Sequence, residues 1–207
     1  MNNKVYFGLS NLHIAFLGDS TNLPQNLQGL PVWENPVNIP GAVKFSPNAS
    51  TEENTFYADN MLYFISNQST GYTANLEVAA FPEKVLAEML GWEHDDMGAL
   101  VEVANGKPKQ FAILAQLDGD VKNRRIVFYN CTGSTPSREY STNEKGIKVT
   151  TENMAITISP IDLGLDLGGG NMMITKAHME YSPGLQGDCY NNFFKQVYMP
   201  TFSGLNP

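Results

Sequence analysis

Charge is what this chain of 207 residues has least of: Asp, Glu, Lys and Arg together make up 16% of it, well under the roughly 25% usual for soluble domains. Cations are the scarcer sign, 13 Lys and Arg against 21 Asp and Glu, for a net charge of −8. So few cations make a poor grip on nucleic acid, because phosphate binding needs clustered Lys and Arg. There is no long hydrophobic run. The longest, such as Met61-Leu62-Tyr63-Phe64-Ile65, falls far short of the roughly 18 residues that cross a bilayer. The start, from Met1 to Gly8, lacks the apolar stretch of a secretory signal, so the chain is expected to stay in a cytoplasm until it assembles. With two cysteines, Cys131 and Cys189, reduced buried thiols are expected rather than a disulfide framework. The sequons at Asn48, Asn67 and Asn130 are then incidental.

Uncharged polar residues and glycine fill the deficit: 21 Asn, 18 Gly and 12 Pro. These are poor helix formers and argue against long helices. Aromatic residues at 11% exclude wholesale disorder. The length suits one domain, with or without an arm. The charge is also uneven. Residues 1–100 hold three cations and 11 carboxylates, whereas residues 101–207 hold ten of each, so the whole excess lies in the first half.

Strand-like segments dominate. Phe56–Phe64 and Tyr72–Val78 flank Gln68-Ser69-Thr70-Gly71, which reads as the turn of an antiparallel hairpin. Further strands are predicted at 99–103, 110–117, 125–131, 148–159 and 172–180. Turns are marked by Asn105-Gly106, Asp118-Gly119-Asp120 and Asn143–Gly146. One helix is well marked over 82–90: Pro82 opens it, Glu83 suits its positive end, Val85, Leu86, Met89 and Leu90 form a stripe, and Gly91 stops it. A shorter helix is predicted from Cys189 to Tyr198, ended by Pro200. Residues 18–55 and 161–171, rich in Gly, Pro and Asn, read as loops or arms. The fold class is therefore mainly β with one principal flanking helix and extended segments.

No catalytic constellation emerges. Ile14–Ser20 has the strand-then-Gly-Asp-Ser look of the GDSL-type esterases, but Ser20 runs into Thr21-Asn22-Leu23-Pro24, a loop. None of His13, His94 or His178 has an aspartate three residues before it. A Gly-x-Ser-x-Gly elbow is also absent. Glu93-His94-Asp95-Asp96 lacks the interleaved glycine of a hard-cation loop and reads as a solvated acidic face. Gly168-Gly169-Gly170 has no following Lys-Ser/Thr pair and opens no helix, which excludes a P-loop or Rossmann turn. Lys122, Arg124 and Arg125 form the densest basic patch; with Asp118 and Asp120 just before them they read as a charged, guarded hairpin edge. What remains is a binding or structural role.

Several segments, in order, resemble the major tail protein family, the tail-tube proteins of long, non-contractile-tailed bacteriophages. They are Val5–Ala15, Pro36–Val43, Phe56–Asn60, Gly71–Ala79, the Phe81–Gly91 helix, Asp118–Cys131, Thr175–Ala177 and Tyr190–Pro200. Phe193 stands where the family pattern has Trp, and Asp162–Asn171 has no counterpart in it. The resemblance implies a β-sandwich or barrel-like tube fold over 1–160. A C-terminal strand and arm with a short helix over 161–207 would pack on that domain or on neighbours. It implies a virion structural protein without enzymatic activity, cofactor, metal or membrane contact. Six copies would form a ring, and rings would stack head-to-tail around a tape-measure protein, between distal-tail and tail-terminator proteins, into the conduit for DNA ejection. The chain would assemble in the host cytoplasm and end in the virion tail. A distal-tail or secretion-tube-like subunit is the alternative within this class, and a small serine esterase built on Ser20 the alternative outside it. Within a tube, Asp59, Glu77, Asp118 and Asp120 are the candidate lumen-facing carboxylates, placed so that like-charge repulsion keeps DNA from sticking. The acidic first half is expected to meet the neutral second half across ring–ring contacts.

Overall fold

The computed structural model describes residues 8–19, 30–120, 122–140, 142, 150–166, 171–182 and 187–202. In chain order the elements are β1 (Leu9–Phe16), β2 (Val37–Asn38), β3 (Ala42–Ala58), β4 (Met61–Val78), α1 (Glu83–Leu90), β5 (Glu93–His94), β6 (Leu100–Val101), β7 (Phe111–Leu117), β8 (Arg125–Gly133), β9 (Glu152–Ile158), β10 (Ile161–Asp166), β11 (Asn171–Ile174), β12 (Lys176–Met179) and α2 (Gly187–Asn191). The protein is mainly β, as its composition predicts. One antiparallel sheet runs β2-β1-β7-β8-β9-β4-β3, with β12 also paired to β8; β10–β11 and β5–β6 are separate two-stranded ribbons.

Two hydrophobic layers explain which segments are strands. In β9 burial alternates strictly, with Met154, Ile156 and Ile158 inward, the period-2 signature of a sheet with one wet face. In β7, by contrast, Phe111, Ala112, Ile113, Leu114 and Ala115 are all buried. Phe111, Ile113 and Ala115 join Leu12, Ile14 and Phe16 of β1, Leu76 and Val78 of β4, and Val85, Leu86 and Met89 of α1 in the main core. Ala112 and Leu114 point the other way, to Val127, Tyr129, Leu163, Met179, Tyr190, Phe193 and Val197. The β1-β7-β8 part of the sheet is thus covered on both faces, by α1 on one and by the C-terminal segment on the other. A continuous apolar run is what such a strand requires.

α1 forms where its stripe predicts. Pro82 precedes it with φ −59° and ψ 130°, and Gly91 ends it at φ 69°, its N–H donating to the Ala87 carbonyl of the last turn. A side chain at Gly91 would lie 2.4 Å from the Lys107 nitrogen, so the helix stop and the close approach of the 105–107 turn need the same glycine. Burying Val85, Leu86 and Met89 stabilises this layer by roughly 1.5–3 kcal/mol each.

Several expectations are corrected. The hairpin does not turn at 68–71: β3 and β4 pair continuously from Ala42↔Val78 to Ala58↔Met61, and the turn is Asp59-Asn60. Both lie at positive φ, 51° and 59°, the geometry of a two-residue turn that matches strand twist and that Asn and Asp tolerate. Gly71, which suggested the turn, sits inside β4 at φ 127°, where a Cβ would stand 2.1 Å from the Ile158 carbonyl oxygen. It is a close-approach glycine beside β9, not a turn glycine. Residues 42–55, read as loop or arm, are strand, as are 161–166. The predicted strand 172–180 breaks at Thr175 into β11 and β12, and that over 99–103 is reduced to two residues. The second helix covers only Gly187–Asn191 before turns take over. The predicted turn at 143–146 and Gly168–Gly170 lie outside the described residues.

Candidate assembly interface

β3 and β4 are about twice the length of the strands they accompany, and only half of each belongs to the sheet body. β4 pairs with β9 from Tyr72 to Val78 and no further. Beyond that, residues 51–70 form a two-stranded ribbon whose strands, among the described residues, pair only with each other. About eight residues of extended chain on each side carry it roughly 25 Å from the body. An isolated two-stranded hairpin is marginal in water, yet this one carries the apolar run Met61–Ile65 in the open. Phe56 is 58% exposed, Tyr57 65%, Met61 70%, Tyr63 76% and Phe64 59%, with Leu62 and Ile65 about half exposed. Phe56 pairs with Phe64 and Tyr57 with Leu62, with a bulge between them that admits Tyr63; the Phe56 and Tyr63 rings meet edge-on at 6.4 Å. Thr55 pairs with Ile65 on the opposite face, so the tip is apolar on both sides. Contiguous exposed apolar surface of this kind marks an interaction site. The arm also carries Glu52, Glu53 and Asp59 with no cation.

A second feature lies on the outer face of β1, β7 and β8. There the C-terminal segment is fastened down residue by residue. The Arg125 guanidinium lies 3.9 Å from the Tyr190 ring centre and 4.8 Å from that of Phe194, and donates to the Tyr190 carbonyl. Its Nε is buried with no hydrogen-bond partner among the described residues. The Tyr190 hydroxyl donates to the Asn123 carbonyl at 2.6 Å, and that of Tyr129 to the Tyr198 carbonyl at 2.9 Å. Burial pushes the Tyr129 phenol well above its ordinary range. Beside this segment, residues 30–33 cross the same face: Leu17 bridges Trp33, and Trp33 Nε1 donates to the Tyr129 carbonyl. Between them runs a groove of about 390 Å³ lined by Leu30, Pro31, Val32 and Trp33 on one side. On the other are Cys189, Asn192, Phe193, Gln196, Val197, Tyr198 and Met199. Among the described residues no charged side chain lines it.

The third feature is the face of β3, β4, β9 and the end of β8 that no described segment covers. Its outward side chains are Ser46, Asn48, Thr73, Asn75, Thr132, Ala155 and Thr157, short and uncharged. Lys44 and Glu77, opposite each other in register, are its charges toward one end.

The four carboxylates singled out from the sequence are scattered. Asp59 is at the exposed tip of the arm. Glu77 is half-buried on the uncharged face and accepts from the Thr151 hydroxyl at 2.6 Å. Asp118 accepts from the Ser10 hydroxyl at 2.7 Å. Asp120, its side chain only 8% exposed, accepts from the Lys122 and Arg124 backbone N–H groups and pairs with the Arg124 guanidinium at 3.4 Å. The basic patch, read as an exposed guarded edge, is instead a fastening: Lys122 and Arg124 both bind Glu180 just past β12, at 2.7 and 3.1 Å. The Lys122 hydrogen bond, with Arg124 beside it, holds the Glu180 carboxyl below the usual range. Arg125 belongs to the C-terminal clamp. Sequence reasoning missed that role, since the order Arg125, Tyr190, Phe194 carries no local signal of it.

The remaining motifs stay apart. Ser20 lies outside the described residues. His13 stacks on Phe194 at 4.8 Å, and His94 and His178 are exposed on separate strands. Asp95 caps its own loop, accepting from the Met97 and Ala99 N–H groups. Among the described residues no three His, Cys, Asp or Glu converge as metal ligands, and no helix is long and apolar enough to cross a membrane. Cys131 is buried and Cys189 exposed, both free; the expectation of two buried thiols fails for Cys189, which opens on the groove.

No protein-family model matches the chain, and no curated protein sequence does. Among solved structures it is similar to the tube-terminating cap of the anti-feeding prophage, with a TM-score of 0.47 and 8% identity over 86% of this chain and 94% of that one. It is also similar to a chain of the PVC sheath–tube complex, an extracellular contractile injection system in its extended state, at 0.43 and 10% over 83% and 89%. Hcp1 from Salmonella typhimurium follows at 0.30 and 10% over 83% and 95%.

Proposed function

We propose that this protein is a self-assembling structural subunit of a tube, and specifically a major tail protein whose six-membered rings stack head-to-tail into a conduit for DNA. The observation that carries the reading is the arm of residues 51–70, apolar on both faces and unsupported by its own body. A lone subunit gains nothing by holding such an arm in water, whereas a subunit buried among copies of itself does. The ordered series of tail-protein-like segments supports the finer assignment, which brings with it a tape-measure protein inside the tube and distal-tail and terminator proteins at its ends. We assign the bore to the uncharged face of β3, β4, β9 and the end of β8. Hydroxyl and amide side chains offer a polyanion no cation to bind, apart from a Lys44 set against Glu77. Of the four candidate carboxylates, Glu77 is the one on that face. Asp59 goes to a contact between subunits, and Asp118 and Asp120 serve the β7–β8 turn.

Negative-stain microscopy of the purified full chain tests the reading. Hollow tubes or six-fold rings are the expected result. Uniform monomeric particles across protein concentration and ionic strength would overturn it.

A further inference from the structure

The arm tip and the groove between residues 30–33 and the C-terminal segment are complementary surfaces on separate parts of one molecule. The arm leaves the sheet at its β4-β3 end, while the groove overlies β1 and β8, with β9 between them in the strand order. We infer that the tip of the arm of one copy seats in the groove of the next. This rests on the self-assembly reading above and names its two contact surfaces.

Three observations point to a second copy as the occupant. First, the chemistry matches. Among the described residues the groove is lined by apolar and neutral polar side chains and by no charge, so it accepts Phe, Tyr, Met and Leu without stranding an ion. Second, the area is sufficient. Seven large side chains, each about half exposed or more, represent on the order of 700–800 Å² of surface, about what one partner contributes to a stable interface. Third, donor and acceptor are different patches, so the contact is heterologous. One copy's groove takes a neighbour's arm while its own arm remains to be placed, and the contact repeats until it closes a ring or extends a filament. The groove holds only the foremost side chains; the shaft lies along the neighbour's surface.

The chain supplies its own reporter, because Cys189 lines the groove while Cys131 is fully buried. Leu62→Cys in the full chain, under mild oxidation, is expected to give a ladder of disulfide-linked oligomers joined between position 62 and Cys189. Adding Cys189→Ser should abolish that ladder. Met61→Cys, a neighbouring exposed position, guards against an unlucky geometry at one site. If both cysteine variants assemble as the wild type does yet neither cross-links through Cys189, the groove is the wrong acceptor and the tube reading still stands. A ladder that survives Cys189→Ser excludes the groove in the same way. A wild-type chain that never assembles would instead overturn the tube reading itself.

Discussion

At the scale of single residues, the same amino-acid type does opposite work according to what surrounds it. Cys131 is enclosed by the main core, where burial pushes its thiol far above the ordinary value; Cys189 faces solvent. Since the thiolate is the reactive form, a maleimide or disulfide reagent at pH 8 should label one thiol per native, unassembled chain, at Cys189. The second should become available only on unfolding. Peptide mapping after labelling reads both, and rapid labelling of Cys131 in the native protein would contradict its place in the core. Arg125 differs from Lys122 and Arg124 in a similar way. Those two make partly exposed ion pairs, which contribute little, whereas Arg125 is stacked between Tyr190 and Phe194. Arg125→Lys keeps the charge and loses the planar stacking surface. We expect a loss of about 2 kcal/mol, seen as a fall in Tm of about 5 °C. Limited proteolysis should then cut first within the C-terminal segment.

At the scale of elements, what is legible in the sequence is whatever is decided locally. α1 announces itself through Pro82, its stripe and Gly91, and β7 and β8 through unbroken apolar runs bounded by turns. β3 does not. Its Lys44, Ser46, Pro47, Asn48, Glu52 and Glu53 are poor strand formers, and they are extended because β4 offers a ladder along their whole length. The same blindness hides the arm: Met61–Ile65 looks like core and Gly71 like a turn, since neither burial nor a partner strand is written in the local pattern. Asp59-Asn60 is the turn signal available. The groove and the Arg125 clamp join residues more than sixty positions apart, and no local spacing encodes that. Gly71 gives the sharpest test of the corrected hairpin. Gly71→Ala drives a Cβ to 2.1 Å from the Ile158 carbonyl oxygen at an unfavourable φ; the expected cost is about 3 kcal/mol. Gly98→Ala, also at positive φ but with open space around it, should cost about 1 kcal/mol. Equal losses in chemical denaturation would mean that Gly71 is a turn glycine after all.

At the scale of the whole molecule, stability and assembly are lodged in separate parts of the chain. The main core draws on β1, β4, β7, β8, β9 and α1, and none of its members lies between residues 51 and 70. The arm pairs only with itself beyond Gly71, so removing it deletes no contact on which the sheet body depends. Replacing residues 53–67 by a two-residue Asn-Gly turn joins Glu52 to Gln68, which already face each other in register, with a turn suited to that geometry. The shortened chain should fold with unfolding cooperativity and Tm close to those of the full chain, because little buried apolar surface is lost. It should also be more soluble, since the exposed aromatic tip is gone. It should stay monomeric by light scattering at concentrations where the full chain assembles, and mixed in excess with full chains it should leave their tubes no longer than before. A shortened chain that still formed tubes would show that the arm decorates the assembly, and the weight of contact would then pass to the free edges of β3 and β12.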